Sequence, residues 1–381
     1  MGEWRTGTLS EIAETVMGQS PDGESSNTAR LGLPLLNGPT EFGTRSPVPV
    51  QYTTDPRRTC EIGDILFCVR GSTTGRMNWA DQVYAIGRGI AALRHKSGTE
   101  FQYYLRAVLD YNLPTLLQAA TGSTFPNVSF SDLDELEIEF PLEHEQRAIA
   151  SVLSSLDDKI DLLHRQNITL EAMAETLWRQ WFVEEAEGGW QTKRLDELCT
   201  ITRGASPRPI IEYVVNGSVP WIKIADATGS STFFIDRTHE FITEDGARKS
   251  IRVSPGDLIL SNSATCGIPY FVELEGCIHD GWLLFRETRS ISKLFLFFFL
   301  KHINRELNQV ADGSVQNNLN TTILKEYELS VPPRDLVDRF DREAGIIVDK
   351  IRRNIKQLRT LERTRDSLLP KLLSGEVRVR N

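Results

Sequence analysis

Apolar residues recur in alternating steps of four and three along residues 149–181: Ile149, Leu153, Leu156, Ile160, Leu163, Leu170, Ala174, Leu177 and Trp181, with Asn167 the one polar member of the row. Such a seam predicts a long helix that needs a partner along one stripe. The row returns 191 positions later as Phe340, Ala344, Ile347, Ile351, Asn354, Leu358, Leu361, Arg365, Leu368 and Leu372. Asp158-Lys159-Ile160 returns as Asp349-Lys350-Ile351 at the same offset. Two long helices are expected, and the simplest partner for each is the other. Asn167 and Asn354 either fix the register by facing polar partners across the seam, or hold a water or serve local packing.

The segments before the helices repeat as well. Trp4-Arg5-Thr6-Gly7-Thr8-Leu9-Ser10-Glu11-Ile12 recurs as Trp190-Gln191-Thr192-Lys193-Arg194-Leu195-Asp196-Glu197-Leu198. Gly18-Gln19-Ser20-Pro21 recurs as Gly204-Ala205-Ser206-Pro207, and Gly63-Asp64-Ile65-Leu66 as Gly256-Asp257-Leu258-Ile259. Gly122-Ser123 recurs as Gly313-Ser314, and the strand-like stretch ending at Pro141 recurs before Pro332. The unit is too long for a solenoid repeat, so it reads as a duplicated module of about 140 residues followed by a helix of about 40. Each module opens on a short helix (residues 9–14 and 195–199) and a polar Gly-Ser-Pro loop. Short strands follow, such as residues 64–69 and 219–224, bounded by Gly, Pro and Asp. An apolar helix comes next, at residues 102–111 and 293–302.

The expected fold class is α+β: two repeated globular α/β domains, residues 1–141 and 188–333, with two long helices, residues 142–187 and 334–381. The helices are expected to pair as an antiparallel coiled coil with pseudo-twofold symmetry, throwing the modules to opposite ends. Pro141 and Pro332 punctuate the chain before each helix, and Glu143 and Glu145 suit the positive end of the first helix dipole. Residues 184–189 read as an acidic, glycine-terminated hinge, and Pro370 predicts a kink or stop. Residues 141–187 hold ten acids and four bases, whereas residues 338–381 hold seven acids and twelve bases. Complementary flanks favour pairing one helix with the other.

Composition narrows the function. The 381 residues carry a net charge of −9, which argues against a simple basic nucleic-acid binder unless partners supply positive charge. Five scattered cysteines without a Cys-x-x-Cys read as reduced thiols, and Cys266, Cys277 and His279 match no common zinc spacing. No secretory signal is read, and the longest apolar run, residues 294–300, is too short to span a bilayer; a cytoplasmic protein is expected. Phosphate-binding, dinucleotide, zinc-protease and serine-hydrolase motifs are all missing. Asp157-Asp158-Lys159 offers a nuclease-like trio, but it lies inside the helical seam. A binding or scaffold protein without a cofactor or metal of its own is the better expectation. Each module does carry small polar residues beside Arg after its Gly-Asp strand, at residues 70–78 and 261–267. Arg suits guanine or phosphate, and Asn and Gln suit adenine, although the same residues build ordinary turns.

Taken in order and twice over, these pieces resemble the specificity subunit of type I restriction-modification enzymes, across essentially the whole chain. The carriers are Gly18 to Pro21 with Gly204 to Pro207, the Gly-Asp strands, the Gly-Ser loops, and Pro141-Leu142-Glu143-His144-Glu145-Gln146-Arg147 leading into Leu-Asp-Asp-Lys-Ile. The second copy departs at Pro332-Pro333-Arg334-Asp335 and at Ala264-Thr265-Cys266-Gly267. The resemblance implies a non-catalytic subunit whose modules are target-recognition domains, each reading half of a split double-stranded DNA sequence. The helices would set the spacing and dock two adenine-methyltransferase subunits that carry S-adenosylmethionine; motor-nuclease subunits would join them. Candidate DNA contacts in the first module are Gln19, Ser20, Arg70, Ser72, Thr73, Thr74, Arg76, Asn78, Ser123 and Thr124. Those in the second are Ser206, Arg208, Ser261, Asn262, Ser263, Thr265, Ser314, Gln316 and Asn317. Three other classes stay open: a free-standing pseudo-dimeric DNA binder, a coiled-coil scaffold for proteins, and a nuclease hidden in one module.

Overall fold

In a computed structural model of the chain, the structure describes residues 4–120, 126–230, 232–263, 266–312, 319 and 321–379. The chain divides into two compact units, Met1–Leu162 with Leu358–Asn381, and Leu163–Gln357. Each unit holds one module and a stretch of both long helices, which run over Glu143–Arg179 and Arg334–Leu373.

The first module is built on a four-stranded antiparallel sheet in the order Ala13–Met17, Ile90–His95, Ile65–Cys68, Met77–Trp79. Ile65 to Cys68 are all buried, as an apolar central strand requires. A second sheet orders Ser26–Asn27, Gln51–Thr53, Leu33–Leu36 and Ala85–Ile86. The apolar helix covers Gln102–Ala119, longer than the pattern predicts because it continues through Pro114. The second module repeats the plan with five-stranded sheets. One runs Thr200–Arg203, Trp282–Arg286, Leu258–Ser261, Pro269–Val272, Phe234–Ile235. Its apolar helix, Lys293–His302, buries Phe295, Leu296, Phe297, Phe298 and Leu300.

Each module is closed where it begins. Arg5–Thr8 pairs antiparallel with Glu137–Phe140, and Gln191–Arg194 with Glu328–Val331. Leu9 N–H then donates to Leu136 O and Leu195 N–H to Tyr327 O, both at 2.9 Å. Glu11 and Glu197 reach back to the backbone N–H of Thr8 and Arg194 at 3.1 and 3.2 Å, which starts the short helix after each entry strand.

The long helices pack antiparallel inside each unit. In the first, Arg365 meets Asp157 at 3.0 Å, and Ile149 and Leu153 share a core with Leu368 and Leu372. In the second, Asn354 Nδ2 donates to Asn167 Oδ1 at 2.8 Å, and the Trp181 and Phe340 rings lie 6.3 Å apart. Numbers rise along one helix as they fall along the other. Ile149, Leu153, Ile160, Leu163, Asn167, Ile351, Asn354 and Leu358 are buried. Leu156, Leu170, Leu177, Ile347, Leu361 and Leu368 are half-buried. Near its end the first helix turns a different face inward: Trp178 and Phe182 are buried more deeply than Leu177 and Trp181. The cause is the Phe-rich helix, whose Phe295 packs on both Trp178 and Phe182. Pro370 does not stop the second helix, which ends three residues later at Leu373. All five cysteines are buried, and none forms a disulfide among the described residues.

Candidate nucleic-acid interface

The Gly-Asp repeat starts the central strand of each module. Gly63 and Gly256 take φ of +90° and +86°, a conformation that suits glycine. The next carboxylate closes the turn: Asp64 Oδ2 accepts from Glu61 N–H at 2.7 Å, and Asp257 Oδ2 from Ser254 N–H at 3.1 Å. An arginine on the neighbouring strand completes each arrangement, Arg94 at 2.8 Å and Arg286 at 2.7 Å. Burial raises the Asp64 carboxyl and outweighs the turn N–H and Arg94. At Asp257 burial acts the same way but is outweighed by Arg286, the turn N–H and Lys293, so that carboxyl is lowered. This motif is scaffolding.

The Gly-x-Ser-Pro loop clasps a tip on the sheet. A Cβ on Gly18 would lie 2.2 Å from Gly87 O, and one on Gly204 would lie 2.1 Å from His279 O, so the backbones meet too closely for a side chain. Gly18 N–H donates to Ile90 O and Gln19 N–H to Ile86 O; Gly204 N–H donates to Trp282 O and Ala205 N–H to Ile278 O. The serine finishes the clasp: Ser20 Oγ accepts from Arg88 N–H and Ser206 Oγ from Asp280 N–H, each at 3.3 Å. The matched bonds make residues 86–90 and 278–282 equivalent tips.

In the first module the tip is Gly87-Arg88-Gly89. Both glycines press on Asn37, whose Oδ1 and carbonyl O would each lie 2.4 Å from an added Cβ. Asn37 Nδ2 in turn donates to Gln51 Oε1 at 2.8 Å. Backbone bonds place two more segments beside this tip: Ile86 N–H donates to Arg58 O, and Val69 N–H to Gly89 O, both at 2.9 Å. Arg58, Arg70 and Arg88 are exposed, and no ion pair holds any of them among the described residues. The pattern in the sequence singles out Arg70 alone. A Gly-Arg-Gly triplet was the available signal for Arg88; nothing local marks Arg58.

The second tip is internally matched. Asp280 accepts from Ser206 Oγ at 2.6 Å and pairs with Arg208 at 3.3 Å, while Arg203 Nε donates to its carbonyl at 2.9 Å. His279 lies 3.5 Å from the same carboxylate, and burial lowers its pKa.

Several candidate contacts have work inside the chain. Arg76 donates to Pro39 O at 3.2 Å and Phe42 O at 2.7 Å, and Asn78, buried, donates to Gly43 O at 3.1 Å; together they hold the 39–43 loop. Thr74 Oγ1 donates to Gly71 O and Pro126 O at 2.8 and 2.9 Å. Ser261 and Asn262 are buried, whereas Ser263 and Arg208 lie nearer the surface beside the second tip. Gln19, Arg70, Ser72 and Thr73 are exposed. Ser123, Thr124, Thr265, Ser314, Gln316 and Asn317 lie outside the described residues. Among the described residues no group of three or more His, Cys, Asp or Glu is placed to hold a metal, and no helix is long and apolar enough to cross a membrane.

The family model described as type I restriction modification DNA specificity domain matches residues 1–172 and again 187–362. The MjaIX specificity subunit of a type I restriction enzyme from Methanocaldococcus jannaschii is 26% identical over 309 residues, which cover 74% of this chain and 69% of the relative. The HindI specificity subunit from Haemophilus influenzae is 22% identical over 411 residues, covering 84% of this chain and 88% of the relative. Among solved structures, the S subunit of a type I restriction-modification system from M. genitalium aligns over 98% of this chain and 96% of its own, with a TM-score of 0.64 at 19% identity, and shares the fold.

Proposed function

Since the chain belongs to the type I restriction-modification DNA specificity family, its model matching both repeats, we propose that it supplies the sequence address of a restriction and adenine-methylation complex. Each module reads one half of a bipartite double-stranded DNA target. The long helices set the distance between the halves and dock two methyltransferase subunits, which bring S-adenosylmethionine; motor-nuclease subunits complete the assembly. This chain performs no chemistry itself.

The observation that carries this reading is the pair of equivalent tips. Matched backbone hydrogen bonds hold the same loops in both modules, yet the side chains presented there differ. One scaffold with two surfaces suits two different half-sites. Exposed apolar residues on the long helices, Ile168, Met173 and Ile346, suit protein docking. The acidic net charge fits a subunit whose partners provide much of the phosphate grip.

Co-expression with an adjacent methyltransferase gene, affinity capture through this chain, and mapping of methyl-adenine in the host DNA test the proposal. The expected result is a complex of one copy of this chain with two methyltransferases, together with methylation at a split motif. Specific DNA binding by the chain without any such complex would instead favour a free-standing regulator.

A further inference from the structure

The equivalent backbone bonds let the two tips be compared position by position. Arg88 and Asp280 both donate their N–H to the clasp serine. Arg70 and Ser263 each follow a residue whose N–H donates to the glycine after the tip's central residue, Val69 to Gly89 O and Asn262 to Gly281 O. Arg58 sits beside Ile86 as Ile251 pairs with Ile278, and Thr59 bridges Ala85 as Arg252 pairs with Cys277. Three positions that carry Arg in the first module therefore carry Ile251, Ser263 and Asp280 in the second.

The geometry points to a phosphate-binding site on the first module alone: Arg58, Arg70 and Arg88 together grip the DNA backbone at the first half-site, and the second half-site is held without an equivalent site. The chemistry is direct. Three exposed arginines with no carboxylate partner among the described residues rise from backbone segments bonded at one tip, on a chain of net charge −9. Guanidinium matches a phosphate with two parallel N–H donors. Neighbouring arginines are not left idle in this way: Arg57 pairs with Asp22 and Asp55, and Arg94 with Asp64. In the second module Asp280 presents a carboxylate to the approaching strand and engages Arg208. The inference rests on the DNA-reading role proposed above.

The test is the salt dependence of binding by the full chain to a mixed-sequence duplex of about 40 base pairs, read by fluorescence anisotropy. Each phosphate contact contributes about 0.9 to the slope of log affinity against log salt. Arg88→Ala is expected to make the slope shallower by about 1, and Arg58→Ala/Arg70→Ala/Arg88→Ala by about 2 to 3. Arg147→Ala removes an arginine of the same unit that is paired with Glu100, and is expected to leave the slope unchanged. Asp280→Asn keeps the Ser206 hydrogen bond and releases Arg208, and is expected to steepen the slope. Wild-type binding with an unchanged slope in the triple variant overturns this site while leaving the DNA-reading role intact. Equal losses from Arg88→Ala and from Arg147→Ala, which remove one charge each, reduce it to net charge and overturn it too. No wild-type binding to any duplex, by the chain alone or by its complex with co-expressed methyltransferases, overturns both proposals.

Discussion

Glu171 shows how one residue can carry a pH dependence without belonging to any interface. It lies on the first long helix within the second unit, close to Lys301, Glu175 and the Phe233 backbone, and its Oε1 is buried without a hydrogen-bond partner. Burial pushes its carboxyl up to about 7, more than Lys301 and the Phe233 N–H pull it down, while Glu175 adds to the rise and itself pairs with Lys301 at 2.6 Å. A carboxyl raised in the folded state favours folding while protonated. Its contribution is whole below about pH 4.5 and is lost as the pH rises through about 7. Glu171→Gln is therefore expected to melt above the wild type at pH 8, by roughly 2–4 °C per kcal/mol relieved, and with it at pH 4.5. Thermal melts at the two pH values check this; an equal gap at both would show that charge is not the cause. The sequence could not announce Glu171, because its neighbours come from residues 233 and 301. The same limit hid Arg58 and separated idle arginines from engaged ones: Arg76 reads like Arg70 until Pro39 and Phe42 are seen beneath it.

Whole elements were far more legible than single contacts. The heptad row located both long helices, and the Phe-rich run proved to be a core helix, since periodicity records which face is buried whatever covers it. The row slips at Trp178 and Phe182, where Phe295 of a module packs alongside Phe340 of the partner helix, and at Val348, which is buried more deeply than Ile347. Asn167 and Asn354 meet within a buried seam, and their hydrogen bond leaves Asn167 Nδ2 and Asn354 Oδ1 without a protein partner. Asn167→Leu leaves Asn354 without its acceptor and is expected to cost about 1–3 kcal/mol. Adding Asn354→Leu removes the stranded amide, so the double variant is expected to be more stable than Asn167→Leu alone. Urea unfolding of the four proteins in that cycle measures the coupling, and strictly additive losses would deny the pair any register role. Helix length offers a second test. One extra heptad at matched positions in both helices adds about 10 Å, on the order of 3 base pairs. The methylated motif is expected to gain that many unspecified positions between its halves, and an unchanged gap would remove the helices as the ruler.

At the scale of the molecule the duplication governs what differs and what stays. The repeats keep the Gly-Asp turn, the clasp and the closing strand pair, all of which join backbone to backbone or cap it. They let go of the side chains at residues 58, 70 and 88. A chain in which residues 9–136 are replaced by those of a relative is expected to fold, to keep its methyltransferases, and to change only one half of the methylated motif; methylation mapping of a host carrying the chimaera reads this directly. A change in both halves would mean that the modules do not read independently. The strand pair Arg5–Thr8 with Glu137–Phe140 makes such replacement mechanically simple, for the two ends of a module lie side by side. Whatever lies between them enters and leaves at one place, as an inserted cassette does. On the function proposed above, recombination at those two short stretches would hand a lineage a new DNA address in a single event, with the long helices inherited unchanged.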